Sequence, residues 1–404
     1  TTIGWMWADV FFSTSQIGYD WGSYGVAWFA LMTLLSFVMF GFIATKVRED
    51  APDVVTLPEF VRLKSTHGKA VHMAMTGANI LYQMAILGLN ATITGFLLNA
   101  AFGFDYILSS LSIVGLVLTY SLINGLKTST YTGMVQFFVT IVLMAFLLVI
   151  LLMSADLEAV TNQALFGPKG EVTSFLHPDM MLNMGIPIAV ILLTQPLVDQ
   201  MIFQRLIAMK NNALMIKSFV WTGIFTSLGV VMFGTMGVIG LSLAQAGMIE
   251  VTDTQLAIVK AVGHYVPEWG LALFVLAFFA VVFSTVDAAY CALAALVGYD
   301  LYKVHINPRA TDAKLIQVGR ITMVVAAALA VVMALAQLKI LWMLFIIGTI
   351  GGSMVAPVVF AMLYKKLEGR YMAWSIVASL VFAVPLSLYG NLNAMPMLVS
   401  GASI

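Results

Sequence analysis

A short polar group interrupts one of the longest apolar stretches of this chain. Ser284, Thr285 and Asp287 lie near the middle of 278–302. At 100° per residue, one narrow helical face carries Ala280, Ser284, Asp287, Cys291, Ala294 and Gly298. Hydroxyl and carboxylate oxygens are ligands for hard cations, and an ionisable residue inside a membrane helix marks a functional site by default. The alternative is a packing seam between helices that contains one satisfied carboxyl group.

The composition indicates what kind of element positions these residues. The chain has 404 residues, of which 61% are hydrophobic and only 9% charged, and its formal net charge is zero. Apolar runs long enough to cross a bilayer recur throughout, which predicts an all-α polytopic membrane protein in contact with the lipid bilayer. The absence of net positive charge argues against a nucleic-acid partner. A single cysteine excludes disulfides, and no motif for ATP hydrolysis or intramembrane catalysis occurs, so we expect no enzyme.

Eleven apolar segments are predicted, and they leave no room for a soluble domain, so residues 1–404 are interpreted as a single membrane transport domain. The first segment begins abruptly, so we expect the N-terminal part of the first helix to precede residue 1. The segments are 1–16, 23–45, 70–101, 106–124, 130–154, 178–203, 214–246, 269–299, 315–338, 341–364 and 371–390.

The distribution of Lys and Arg predicts the orientation of these segments. If the connections alternate between the two sides, those at 46–69, 125–129, 204–217, 300–320 and 365–370 share one side with nearly all the basic residues. The other side has only Lys169, Lys260 and Lys339. Positively charged loops remain inside, so we predict that the Lys/Arg-rich loops are cytoplasmic and that the protein lies in the plasma (cell inner) membrane.

Proline and acidic residues interrupt the sixth segment. Pro196 and Asp199 precede Arg205, and a proline at membrane depth leaves a carbonyl that only protein or a cavity can satisfy. A simple kink at Pro196 and a helix-end pair between Asp199 and Arg205 remain alternatives. The first segment is similarly polar at Trp5, Trp7 and Asp9, although the two tryptophans could instead belong to an interfacial belt.

Four motifs in the same order as in a known family carry a resemblance that covers nearly the whole chain. VVTLPEFVRLK at 54–64 resembles the TLPE loop of the solute:sodium symporters, and NGLKTSTYTGMVQ at 124–136 resembles their GGLKAV-x-TD-x-x-Q junction. VDQMIFQRLIAMK at 198–210 resembles their DQ-x-x-x-QR-x-LAAK signature. FSTVDAAYCALAALVGYDLYK at 283–303 resembles their eighth-helix pattern, a Ser-Ser/Thr pair followed by D-x-Y-K.

Within that family, the urea-active-transporter branch looks most similar. GWMWADVFF at 4–12 resembles its WTWAA sequence, and YDLYKVHINPRAT at 299–311 resembles its YDIY-x-x-INP-x-AT. Asp9 departs from the branch, which has a small residue at this position.

The resemblance implies a LeuT-like 5+5 inverted repeat with an extra C-terminal helix and with the first and sixth helices broken. The repeats would be 1–154 and 178–365, and the additional helix 371–390. The common sodium (Na+) site would use carbonyls of Thr2 and Trp5, the carbonyl of Val281, and the hydroxyls of Ser284 and Thr285. A further family sodium site has an aspartate where this chain has Gly133. We therefore hypothesise that Asp287 supplies this carboxylate from the eighth helix, for a cation or a proton.

The resemblance places the substrate between the first and sixth helices, where the polar candidates are Trp5, Trp7, Asp9, Gln195, Asp199 and Gln200. Tryptophan faces suit planar or cationic groups, and carboxylates prefer N–H donors. The sequence therefore predicts a sodium-coupled symporter importing a small polar solute such as urea, an amide, or an amine or polyamine. A sodium-independent facilitative channel and a transporter-like membrane sensor are the alternatives. The oligomeric state is not predicted.

Overall fold

The computed structural model describes residues 8–155, 174–209, 211–364 and 367–392, and nearly all of these residues are helical. Ten segments within the described ranges are long and apolar enough to cross a membrane. The predicted class, an all-α multi-pass membrane protein, is confirmed.

The first long helix, α1, covers Ala8–Asp50 and contains the first two predicted segments. Gly22 interrupts it with φ 64° and ψ −159°, a conformation that glycine adopts without the steric cost of a Cβ. A straight helix of this length would measure about 65 Å, roughly twice the hydrocarbon thickness of a bilayer. The bend at Gly22 therefore separates two limbs, 8–21 and 23–50, and the expected connection between them is reduced to this bend.

A short helix and a minimal sheet follow α1. Helix α2, Leu57–Leu63, begins after Thr56, whose hydroxyl accepts a hydrogen bond from the Glu59 amide at 3.3 Å. Pro58 lies in the first turn of α2, where the missing backbone N–H would have no intrahelical hydrogen-bond partner. Strand β1, Ser65–Thr66, pairs in parallel with β2, Leu367–Glu368, and so ties this connection to a distant part of the chain.

Helix α3 spans Gly68–Phe102, and helix α4 runs without interruption from Tyr106 to Ser154. The predicted loop at 125–129 is therefore wrong, because the backbone there is helical. No proline occurs between residues 106 and 154, and glycine costs only about 1 kcal/mol in a helix interior, so polar residues alone do not end the helix. Two parts of α4, Tyr106–Ile123 and Tyr131–Ser154, are each long enough to span a membrane.

The sixth predicted segment consists of several pieces. A turn at Pro178–Met180 and a π-helical turn at Met181–Gly185 lead into α5, Ile186–Val198. Asp199 then adopts an extended conformation, and α6 covers Gln200–Ile207. The predicted break in this segment is confirmed.

Helix α7, Asn212–Gln245, packs along α1. Phe11 stacks on Phe233 with ring centroids 3.8 Å apart. Gly237 faces the Ser15 carbonyl so closely that a Cβ would overlap it. The N-terminal limb of α1 therefore packs directly against α7.

The remaining helices complete the bundle. A 3₁₀ turn at Thr254–Leu256 precedes α8, Ala257–Tyr265, so the predicted loop at 247–268 contains helix. Helix α9, Glu268–Ala295, continues as a π-helix over Leu296–Ile306 and thus extends past the predicted end at residue 299. Helices α10, Asp312–Ala334, and α11, Ile340–Leu363, follow. Helix α12, Gly369–Leu392, is largely exposed at the periphery, as expected of an additional helix facing lipid.

Candidate functional site

The break between α5 and α6 centres on the buried carboxylate of Asp199. Its Oδ1 accepts hydrogen bonds from the Met201 amide at 2.8 Å and from Gln83 Nε2 of α3 at 2.9 Å. Asp199 is therefore the N-cap of α6, where a negative charge is favourable near the helix N-terminus. Pro196, in the last turn of α5, cannot donate a backbone hydrogen bond, which weakens the helix where it ends.

Three other polar side chains share this region. The hydroxyl group of Tyr82 is completely buried and lies within electrostatic range of Asp199, Gln195 and Asp9. A Cβ on Gly351 of α11 would contact the Tyr82 ring at 3.1 Å, so α11 forms a close wall on this side. The structure therefore brings together Asp9, Gln195 and Asp199, three of the predicted substrate residues, around Tyr82.

Asp9 has the most unusual environment of this group. It is fully buried at the start of α1, and neither carboxylate oxygen has a hydrogen-bond partner among the described residues. Ser13, one turn further along α1, is equally buried and its hydroxyl also lacks a partner there. A buried carboxylate left in this state costs several kcal/mol, so the arrangement calls for a ligand, water or a proton.

Most of the unsatisfied atoms in this polar cluster and on the adjoining face of α3 are hydrogen-bond acceptors. Besides both oxygens of Asp9, they include Gln83 Oε1 and Asn79 Oδ1, whereas Gln195 Nε2 is a donor. Carbonyl and carboxylate oxygens accept N–H groups and repel anions. This polar cluster around Tyr82 is therefore suited to bind a small molecule with several N–H donors.

Gln200 does not join this group. Its Oε1 accepts a hydrogen bond from the Leu57 amide at 2.9 Å, and its Nε2 approaches the Val55 carbonyl at 3.5 Å. The side chain thus holds α6 to the start of α2. Thr2, Trp5 and Trp7 lie outside the described residues.

The predicted sodium ligands of α9 are buried together. The Thr285 hydroxyl donates to the Val281 carbonyl at 3.2 Å, and Ser284 lies beside it in the same turn. Asp287 Oδ1 accepts a 2.7 Å hydrogen bond from Ser121 of α4. Hydroxyl oxygens that donate within a helix keep lone pairs for a cation, so this turn presents oxygens of the type that sodium binds.

The same face of α9 opens onto a cavity of about 690 Å³ between α4, α6, α9 and α10. Its lining includes Ser121 and Cys291, and Gln204 Nε2 donates to the Cys291 carbonyl at 3.3 Å. Arg205 lies within electrostatic range of Asp199, Asp287 and Cys291. One basic side chain therefore lies near the carboxylates of both candidate sites.

A further cluster of polar side chains, around His72, was not predicted from the sequence. His72 Nε2 lies 3.0 Å from Asp300 Oδ1, and His72 Nδ1 lies 2.9 Å from His305 Nε2. Thr56 donates to the same Asp300 oxygen at 2.7 Å. The available signal was topological, because the predicted orientation places all four residues on the cytoplasmic side. Among the described residues, no group of three or more His, Cys, Asp or Glu could hold a metal ion.

Comparisons with known proteins agree with this architecture. The family model described as sodium:solute symporter family matches residues 5–377. A urea-proton symporter of Oryza sativa subsp. japonica is 23% identical over 90% of this chain and 54% of its own length. The probable urea active transporter 1 of Schizosaccharomyces pombe is 22% identical, with 94% and 61% covered. The chain thus spans somewhat more than half the length of these relatives.

A further relative and a solved structure are also similar to this chain. The osmoregulated proline transporter of Bacillus subtilis is 24% identical over 88% of this chain and 72% of its own length. The substrate-bound, outward-open structure of a Na+-coupled sialic acid symporter superposes with a TM-score of 0.79. That match covers 100% of this chain and 85% of the other at 14% identity, and it shows a LeuT-like fold.

Proposed function

Because the chain belongs to the sodium:solute symporter family, we propose that it is a sodium-coupled symporter importing a small solute with several N–H donors. Urea, an amide, or an amine or polyamine fits this description. The observation that carries the proposal is Asp9, a fully buried carboxylate in a membrane helix with no partner among the described residues. An N–H-rich solute would satisfy both of its oxygens at once.

The surrounding groups support the same solute class. Asp199 is held rigidly by Gln83 and the Met201 amide, and Tyr82 lies within electrostatic range of both Asp9 and Asp199. Two carboxylates with an amide and a phenol nearby favour a neutral N–H donor or a cation over an anion. Trp5 and Trp7 would add planar faces suited to either group.

Sodium would bind at the turn of α9 that carries Val281, Ser284 and Thr285. The oxygens there are buried and chemically suitable, and Thr2 and Trp5 of the first helix would contribute carbonyls. Asp287 lies one turn further along, bonded to Ser121, and its charge would strengthen cation binding electrostatically.

Sodium between the first helix and α9 would order the start of α1, against which the solute binds. Each sodium ion moving inward gains about 2.3 kcal/mol per 100 mV of membrane potential, which can drive uphill uptake. Rocking of one bundle of helices against the other would then open the site inward. In this proposal the protein lies in the plasma membrane with its Lys/Arg-rich loops in the cytoplasm.

The only cysteine, Cys291, makes a direct test possible, since it lines the cavity one turn beyond Asp287. We expect sodium, but not potassium, to slow alkylation of Cys291 by N-ethylmaleimide, and Thr285→Val to abolish this protection. The matched control is Thr92→Val, a buried threonine of α3 whose hydroxyl bonds to Gly88. Equal alkylation rates in sodium and potassium would contradict sodium binding.

Uptake into proteoliposomes tests the solute. We expect saturable, sodium-dependent accumulation of urea, an amide or an amine, and Asp9→Asn should reduce it. Uptake that is independent of sodium and does not saturate would instead indicate a facilitative channel.

A further inference from the structure

A row of buried polar side chains follows one face of α3. His72, Thr76, Asn79, Gln83 and Asn90 all fall within about 60° around the helix axis, and each is essentially inaccessible. From His72 to Gln83 the row extends about 16 Å along the helix. A polar face of this length is expensive in a membrane helix and is retained where it serves a pathway.

The row contains several hydrogen-bond acceptors that no described residue satisfies. Thr76 Oγ1, Asn79 Oδ1, Gln83 Oε1 and Asn90 Oδ1 have no hydrogen-bond partner among the described residues. Buried polar atoms in this state are ordinarily satisfied by ordered water. Side chains at i, i+3 and i+4 are neighbours on a helix surface, so waters bound to successive members can contact each other.

Both ends of the part of this row from His72 to Gln83 reach ionisable groups. At one end, Gln83 donates to Asp199, beside Tyr82 and the unpartnered carboxylate of Asp9. At the other end, His72 uses both ring nitrogens, one toward Asp300 and one toward His305. His305 is only partly buried, whereas His72 and Asp300 are inaccessible, so the cluster leads from the surface into the protein.

We propose that this row is a proton path between Asp9 and the cytoplasm, with His305, His72 and Asp300 as its cytoplasmic entrance. The transporter would then exchange a proton with the cytoplasm in addition to any sodium that it moves.

The histidine pair can pass a proton without changing its own net charge, starting with both rings protonated at Nε2. A proton binding His305 at Nδ1 releases the Nε2 proton to His72 Nδ1, and His72 passes its own Nε2 proton to Asp300 Oδ1. Both rings are then protonated at Nδ1 and return to the first tautomer before the next transfer. Rotation of the Asp300 carboxyl group about its Cβ–Cγ bond brings the protonated oxygen to the position of Oδ2, which has no partner among the described residues. From there the proton passes to water beside Thr76. The amides of Asn79 and Gln83 only orient water, and the proton ends on a carboxylate oxygen of Asp9.

Both acidic and basic side chains lie near the cytoplasmic entrance of this path. Glu59 acts electrostatically on Asp300, whereas Arg62 and Lys69 act on His305. At the inner end, Arg205 lies within electrostatic range of Asp199, whose Oδ1 already accepts two hydrogen bonds. This leaves Asp9, whose oxygens have no partner among the described residues, as the carboxylate that accepts the proton.

The proposal can be tested without knowing the solute. In the purified full chain in lipid nanodiscs, a laser pulse releases protons from a caged compound. Time-resolved infrared spectroscopy then follows the carboxylic-acid band that Asp9→Asn removes. We expect His72→Gln and Thr76→Val to slow the appearance of this band by about 100-fold while leaving its final amplitude unchanged.

Two variants serve as matched controls. His67→Gln alters an exposed histidine that bonds to Glu368, and Thr92→Val alters a buried threonine of α3 about 160° away from the row. Both should retain the wild-type rate. Equal rates in His72→Gln, Thr76→Val and the wild type would overturn the path. So would the absence of any Asp9 band at every pH at which the protein stays folded.

Discussion

Ser121 of α4 donates a 2.7 Å hydrogen bond to the Asp287 carboxylate of α9, and both side chains are buried. Asp287 lies three residues beyond Ser284, and its partner Ser121 lines a cavity that also reaches Cys291. The resemblance to the family implies that an aspartate found in some members is replaced in this chain by Gly133, which lies in α4 like Ser121. The contact therefore gives the hypothesis for Asp287 a specific geometry.

For Asp287→Asn we expect about ten-fold weaker sodium binding, because an amide retains the size of the side chain but removes its charge. The measurement is the sodium concentration that halves the alkylation rate of Cys291. Asp53→Asn, which alters an exposed aspartate, is the control and should not change it. Unchanged sodium affinity, stoichiometry and pH dependence in Asp287→Asn and Asp287→Ala would rule out this role.

Asp9→Asn should discriminate between solutes by their charge. Losing a charged hydrogen-bonding partner costs about 2 kcal/mol, so a cationic amine should bind roughly 30-fold more weakly, whereas a neutral amide should lose less. Competition by each solute in a thermal-shift or uptake assay measures the ratio of its affinities for the variant and the wild type. Asp179→Asn, an exposed change near α5, is the reference. Unchanged binding of both classes would mean that Asp9 does not contact the solute.

Gln200→Ala should lower stability rather than solute affinity. Its amide oxygen accepts a hydrogen bond from the Leu57 backbone, and the side chain does not join the polar cluster around Tyr82. We therefore expect a loss of about 1 kcal/mol in the free energy of unfolding and an unchanged KM. Thermal unfolding in detergent and initial uptake rates separate the two effects. A raised KM with unchanged thermal stability would instead support a role for Gln200 as a solute ligand.

Gly237→Ala should destabilise the contact between α1 and α7. The added Cβ would overlap the Ser15 carbonyl, and overpacking of this kind costs about 1–3 kcal/mol. Gly77→Ala of α3 is the matched control, because a Cβ added there would have no neighbouring atom within 4 Å. There the gain in helix propensity should stabilise the protein slightly. Similar melting temperatures for the two variants would contradict the packing described.

The sequence alone determined the class of this protein, because uninterrupted apolar length is enough to identify membrane helices. It also indicated an interruption near Pro196 and Asp199, since a proline inside an apolar segment removes a backbone hydrogen bond of a membrane helix, but a simple kink remained an alternative. Order and spacing of the motifs around Pro58, Arg205 and Asp300 were sufficient to predict the family. These features are local, and each can be read within a few turns of helix.

Tertiary structure decided which of the polar residues act together. Gln195, Asp199 and Gln200 are neighbours in sequence, yet Gln200 faces α2 because the extended backbone at Asp199 redirects the chain between α5 and α6. His72 and His305 are 233 residues apart and meet only because the π-helical extension of α9 reaches the start of α3. Helical periodicity assigns a side chain to a face of its own helix, but the partner of that face depends on how the helices pack.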